Sequence, residues 1–278
     1  MTGAADTAPT PATVPGRRPG FGRLLVAEWT KLRSVRSTLW SLLLLVLVSL
    51  GFTALFTSLT MATWDDMTDA DRVSVQADPV GFILGSGMFL GQLAICVLGV
   101  LVMASEYSTG MIRASLLAVP RRLPMLAAKA IVFALVVLVV GVAVSFGSFF
   151  LGEAIVGGKV PVSLGDDGVL RAVFGGGLYL AMLGLFSLAI GAIVRHPAGG
   201  ITGVIGFVLV LAPLTNLLPG TIGDYVHDYL PSEAGVMIAT THQGEDALLG
   251  PWQGYGVFAL WTFALLVLAG LLLKRRDA

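Results

Sequence analysis

The chain has 278 residues, 56% of them hydrophobic and only 12% charged, and its 17 Lys and Arg balance 17 Asp and Glu. That composition is one of an integral membrane protein and excludes a soluble enzyme. The single Cys, Cys96, excludes an intrachain disulfide and reads as a small buried side chain inside an apolar run.

Residues 1–20, rich in Ala, Thr, Pro and Gly, have no apolar periodicity and are expected to form a disordered tail, with residues 21–278 as one membrane domain. The tail is not expected to be a secretory signal, because the first long apolar run begins only at Thr38 and extends for 25 residues. Residues 21–36, FGRLLVAEWTKLRSVR, project at about 100° per residue as an amphipathic helix. Phe21, Leu24, Leu25, Trp29, Leu32 and Val35 gather on one side, while Arg23, Lys31, Arg33 and Arg36 supply cations suited to the head groups of membrane lipids. Glu28 falls in the centre of the apolar side, where a carboxylate needs a cation or hydrogen-bond donors. Its candidate partners are Lys31, one turn along, and Arg113, in a later connector.

Six apolar runs follow, at 38–62, 82–104, 130–152, 173–194, 199–218 and 252–273, and none contains Asp, Glu, His, Lys or Arg. At about 1.5 Å of rise per residue each can cross a hydrocarbon layer roughly 30 Å thick, and in lipid such a segment must be an α-helix that satisfies its own backbone. The predicted fold is therefore an all-α membrane protein with six spans behind an interfacial helix. Fourteen of the seventeen cations lie in the N-terminal segment, the second and fourth connectors and the C-terminal tail, whereas thirteen of the seventeen acids lie in the other connectors. By the positive-inside rule both termini are expected in the cytoplasm.

The connectors are short: 25 residues in the second and 33 in the fifth, the longest on each side after the N-terminal segment. An independent domain needs at least about 50 residues, so none is a soluble catalytic domain. No GxxxxGK[ST] phosphate loop is present, and the chain has no nucleotide site of that kind. The spans also lack the titratable groups that ion-driven transporters use, although Na+ coupling through broken helices is not thereby excluded. Gly175, Gly176 and Gly177, and Gly199 with Gly203, mark candidate faces for close helix packing. His227 and His242 lie among Asp224, Asp228, Glu233, Glu245 and Asp246, and their spacing reads better as a solvated acidic loop than as a metal site. Tyr229 to Ile238 is apolar for a loop, consistent with either a re-entrant pair or a surface helix packed on its neighbours.

The second connector, SEYSTGMIRASLLAVPRRLPMLAAK over 105–129, has a Glu directly after a span, then a Gly, a short amphipathic stretch, a Pro with Arg, and a Lys entering the next span. Glu106, Gly110, Arg113, Pro120, Arg121, Arg122 and Lys129 hold those places, and the string resembles the cytoplasmic loop of type-2 ATP-binding cassette (ABC-2) permeases. EWTKLRSVRSTLW, from Glu28 to Trp40, is similar to the start of bacterial members. The resemblance implies a dimer of six-span subunits, here a second copy of the chain, in the cytoplasmic membrane. It also implies separate nucleotide-binding subunits that hold ATP and Mg, since this chain itself binds no cofactor and is not an enzyme.

In that family the loop docks on the ATPase. Glu106 would brace it, Gly110 and Pro120 would delimit its helix, and the arginines would pair with acidic groups of the partner. Export of a hydrophobic or amphipathic cargo is the implied activity, along an uncharged path with groups such as Gln92 and Asn216. The rival readings are a non-transporting scaffold or signalling subunit, and a secondary transporter. No nucleic acid is expected among the partners.

Overall fold

The computed structural model describes residues 20–111, 122–244 and 247–275. The chain begins with α1 (Phe21–Ser34), breaks at Val35, where φ is −85° and ψ 109°, and resumes as α2 (Arg36–Ala62). The break falls inside the stretch predicted as one interfacial helix, and Arg36 therefore opens the first long helix. Next come a short 3-10 turn (Trp64–Asp66), α3 (Asp69–Ala77), α4 (Pro79–Ser108), α5 (Arg122–Val156) and α6 (Val169–Val194). After α6 lie α7 (Pro197–Leu214), α8 (Gly220–Asp228), α9 (Pro231–Val236) and α10 (Pro251–Arg275). Among the described residues six helices are long and apolar enough to cross a membrane, namely α2, α4, α5, α6, α7 and α10.

Each boundary has a local cause. Asp78 caps α4 by accepting from the Gly81 N–H at 2.9 Å, and Pro79 occupies the first turn, where its missing N–H has no cost. Thr68 caps α3, accepting from the Asp71 N–H at 3.2 Å while its hydroxyl donates to the Asp71 carboxylate at 2.6 Å. Within α7 the residues Gly206–Leu211 wind as a π-helix, and the Ala212 N–H reaches back to Phe207 O. Pro213, just beyond, cannot donate at all, and the wider winding precedes it. This helix ends at Leu214 and gives way to a 3-10 turn, Thr215–Leu217, short of the predicted end at 218.

The centre of the bundle is α4 against α6. In the most apolar stretch of each, 67% of residues are buried, compared with 22% in α2 and α7. Glycine makes this approach possible: a Cβ on Gly99 of α4 would lie 2.6 Å from Gly184 O of α6, and one on Gly191 of α6 would lie 2.7 Å from Val100 O of α4. Ile95, Leu180, Leu183 and Leu188 fill the seam, with Phe133 of α5 and Phe258 of α10 closing it from two sides. Gly175, Gly176 and Gly177 all meet neighbours, on Ile238, Ser145 and Val142 respectively. Of the other predicted face, Gly203 meets nothing within 4 Å; Gly200 packs instead, against Val100.

In the apolar segment from Tyr229 to Ile238, Tyr229 is exposed, while the chain from Pro231 onward packs into the bundle. Ala234 and Ile238 are fully buried between α6 and α10, where Gly235 faces Phe258 and Gly254 faces the Ala234 carbonyl. Arg171 of α6 donates to Ile238 O at 3.2 Å and Thr240 O at 3.0 Å, satisfying carbonyls at the end of this short helical piece. Asp78 accepts from the Thr241 N–H at 3.1 Å and from its hydroxyl, so the cap of α4 also anchors the chain beyond α9.

Replacing Gly99 with Ala should lower the unfolding free energy by about 1–3 kcal/mol, because the clashing atoms, Gly184 O and Ser187 Cβ, cannot move away without moving the α6 backbone. Gly85→Ala, where a Cβ would meet nothing within 4 Å, should cause no loss. Thermal unfolding of the two variants in detergent checks the contrast; equal midpoints would refute the tight α4–α6 seam.

Candidate functional site

Three nearly fully buried charges meet where α1 crosses the ends of α4 and α5. On α1, Leu24, Glu28 and Leu32 follow one another at intervals of four and form its buried face. Glu28 is only 4% exposed, Glu106 in the last turn of α4 5%, and Lys129 on α5 3%. The Lys129 ammonium donates to Glu28 Oε2 at 2.7 Å and to Glu106 Oε1 at 2.8 Å. Lys31, one-third exposed, donates to Glu28 Oε1 at 2.9 Å and to Glu106 Oε1 at 3.2 Å. Two carboxylates and two ammonium groups thus form one neutral cluster joining three helices.

The electrostatics follow from burial. Desolvation pushes the Glu28 carboxyl up, but Lys129 and Lys31 outweigh it and hold the group below its ordinary value. Burial pushes Lys31 down, and its bonds to Glu28 and Glu106 more than reverse this, leaving it raised. Glu106 sits at the C-terminal end of α4, the wrong end of the helix dipole for a carboxylate, so its two lysine partners also offset that repulsion.

Of the two candidate partners of Glu28, Lys31 pairs with it, and Arg113 lies outside the described residues, as do Pro120 and Arg121. The interhelical partner of Glu28 is Lys129. Because α5 already includes Arg122, ahead of the apolar run at 130, Lys129 is helical and faces the bundle. The sequence does carry a signal for it, since it is the last charged residue before a run that buries one side, but nothing in the spacing pairs it with residues 23 and 101 positions away. Gly110 has a φ of +72° and closes α4: its N–H reaches Tyr107 O at 3.2 Å, as expected of a helix-ending glycine.

Beside the cluster, arginines hold the end of α10. Arg122 donates to Leu273 O at 2.6 Å and Arg195, between α6 and α7, to Leu272 O at 3.3 Å. The Arg195 guanidinium also stacks 4.8 Å from the centre of the Tyr107 ring on α4. These bonds satisfy terminal carbonyls with cations, which suits the helix dipole. Arg122, assigned to the docking loop by the sequence, thus has a contact within its own chain. Arg33 and Arg36 are exposed. Trp29, half exposed, lines an apolar groove of about 510 Å³ between α1 and α5 with Leu25, Ile131 and Leu135.

Away from the cluster, the His227 ring bonds the Thr215 hydroxyl at 2.9 Å and lies 3.7 Å from Glu233 Oε2, beside a cavity of about 560 Å³ that Asp224 and Asp228 also line. Burial raises the Glu233 carboxyl. His242 is exposed, while Glu245, Asp246 and the side chain of Asn216 are outside the described residues. Gln92 accepts from the buried Tyr179 hydroxyl at 2.8 Å.

A bundle of this kind is a multi-pass α-helical membrane protein. A family model described as ABC-2 family transporter protein matches residues 24–213, well over half of the sequence and all four members of the ionic cluster. The chain belongs to the ABC-2 transporter family. No curated protein gives a significant match.

Lys129→Met leaves Lys31 as the one cation that Glu28 and Glu106 share among the described residues and should destabilise the protein by about 3–5 kcal/mol, with Lys31→Met milder because its site is wetter. The pH dependence has a definite sign. With Glu28 depressed below 4.5, its contribution is complete above that value and is lost as pH falls through the depressed one. With Lys31 raised above 10.5, its contribution is complete below that value and is lost only as pH rises through the raised one. Unfolding midpoints should therefore hold level near neutrality and fall at acid pH, less steeply in Glu28→Gln; an identical acid fall in that variant would contradict the assignment.

Proposed function

We propose that the chain is the membrane-spanning permease subunit of an ATP-binding cassette exporter, working as a homodimer in the cytoplasmic membrane with a separate nucleotide-binding subunit. The observation that carries this reading is the clamp at the root of the loop between α4 and α5. Glu106 lies just before the chain leaves α4 and Lys129 just after it re-enters the bundle on α5, and the two are ion-paired at 2.8 Å. A push on the loop then moves both helices together, and α1 with them through Glu28. Since α4 is also a central helix, displacement at its end is passed along the glycine seam into α6.

In this reading the basic end faces the cytoplasm, with the interfacial helix and both termini. ATP and Mg are held by the partner, and closure of the partner subunits drives the loop that contains Arg113, Pro120, Arg121 and Arg122. Arg121 pairs with acidic groups of the ATPase, while Arg122 fixes α10 so that the last helix follows the same movement. Cargo of hydrophobic or amphipathic character passes along the dimer interface, which suits spans free of charged side chains.

Arg121→Glu should reduce co-purification with the nucleotide-binding subunit encoded nearest its gene by at least about tenfold, the loss of one charge-assisted contact with a repulsion added. The variant should still insert and unfold like the wild type. Undiminished co-purification, or a wild-type chain that never raises the partner's ATPase activity, would favour a scaffold.

A further inference from the structure

A cavity of about 230 Å³ opens between α1, α2 and α4, and its walls carry opposite characters. One wall is the Glu106 carboxylate. Its Oε1 takes both lysines, whereas its Oε2 has no hydrogen-bond partner among the described residues, in a side chain that is 94% buried. The facing wall is the first turn of α2. Val35 gives that helix no side-chain cap, and the Thr38 N–H turns back to Val35 O at 3.1 Å, which leaves the Arg36 and Ser37 N–H groups without an intrahelical acceptor; the Ser37 and Thr38 side chains line the cavity there with Lys31 beside them. Leu98 and Leu101 of α4 form an apolar floor.

We infer that this cavity binds a phospholipid whose head group carries a primary ammonium, with the ammonium on Glu106 and the phosphate at the start of α2. Charge decides between ligand classes. A bare cation would add unbalanced positive charge to a buried neutral cluster and leave the α2 end unmet. A bare anion would sit beside a carboxylate. A zwitterion satisfies both walls and adds no net charge. The free Oε2 calls for an N–H donor, which a primary ammonium has and a quaternary one lacks. The leucine floor favours a lipid over a soluble phosphoamine, because it can take up the glycerol and the first acyl carbons. Exposed Arg33 and Arg36 attract anionic lipid less selectively, and this site is distinct from that attraction. The inference does not depend on the transport reading.

The test uses the purified full-length chain in detergent, with retained lipid measured by native mass spectrometry. Phosphatidylethanolamine and phosphatidylcholine carry the same net charge and differ in N–H donors. The first should be retained about tenfold better, the worth of one charge-assisted hydrogen bond. Thr38→Val, outside the ion cluster, should leave folding intact and reduce retention of phosphatidylethanolamine; Glu106→Gln should bring the two lipids close to parity. Equal retention by the wild type, or preference for phosphatidylglycerol over both, would overturn the site. Displacement by soluble glycerophosphoethanolamine at equal concentration would overturn the lipid as its source.

Discussion

An ionised side chain removed from water is tolerated only when its charge is matched at close range, and that requirement governs the basic end of this protein. Glu28, Glu106 and Lys129 are each at least 95% buried and come from three different helices. None can shift by a turn without upsetting the charge balance of the cluster. The register of α1 on α5, and of α5 on α4, is therefore set by charge as well as by packing. Lys31 completes the neutrality from the rim.

The two ends of the bundle are held by different chemistry. At the basic end side chains pair with side chains, and Arg122 and Arg195 gather the last carbonyls of α10. At the acidic end the ties are mostly between side chains and backbone: Asp78 accepts from the Thr241 N–H, and Arg171 donates to the Ile238 and Thr240 carbonyls. Between them lies an apolar seam in which glycine brings α4 and α6 into backbone contact. A rigid centre with an ionic clamp at one end is suited to carrying a displacement from a loop into the bundle, which is the mechanical requirement of the proposed coupling.

Much of this architecture was legible in the residues. Long apolar runs free of charge name the six helices, since nothing else of that length satisfies its backbone in lipid. Glu28 announced itself as a carboxylate on the wrong side of an amphipathic helix, which demanded a partner. The identity of that partner was not legible, because α-helical periodicity assigns a face and says nothing about which distant residue meets it. Lys129 was hidden further by the onset of its helix: hydropathy begins at 130, whereas backbone hydrogen bonding extends the helix back to Arg122. The Gly200 contact was missed for a similar reason, as glycine spacing marks a possible face while the actual crossing of α7 over α4 selects one residue of it. The π-winding of α7 and the burial of residues 231–238 likewise depend on neighbours far off in sequence.

The central claim is that Glu106 and Lys129 are energetically joined across the root of the loop. A double-mutant cycle tests it most directly, with Glu106→Gln, Lys129→Met and the two together, read as unfolding free energies in detergent. A coupling of about 1–3 kcal/mol, with the double variant less damaged than the sum of the singles, is the predicted result. Additivity within about 0.5 kcal/mol would contradict the account.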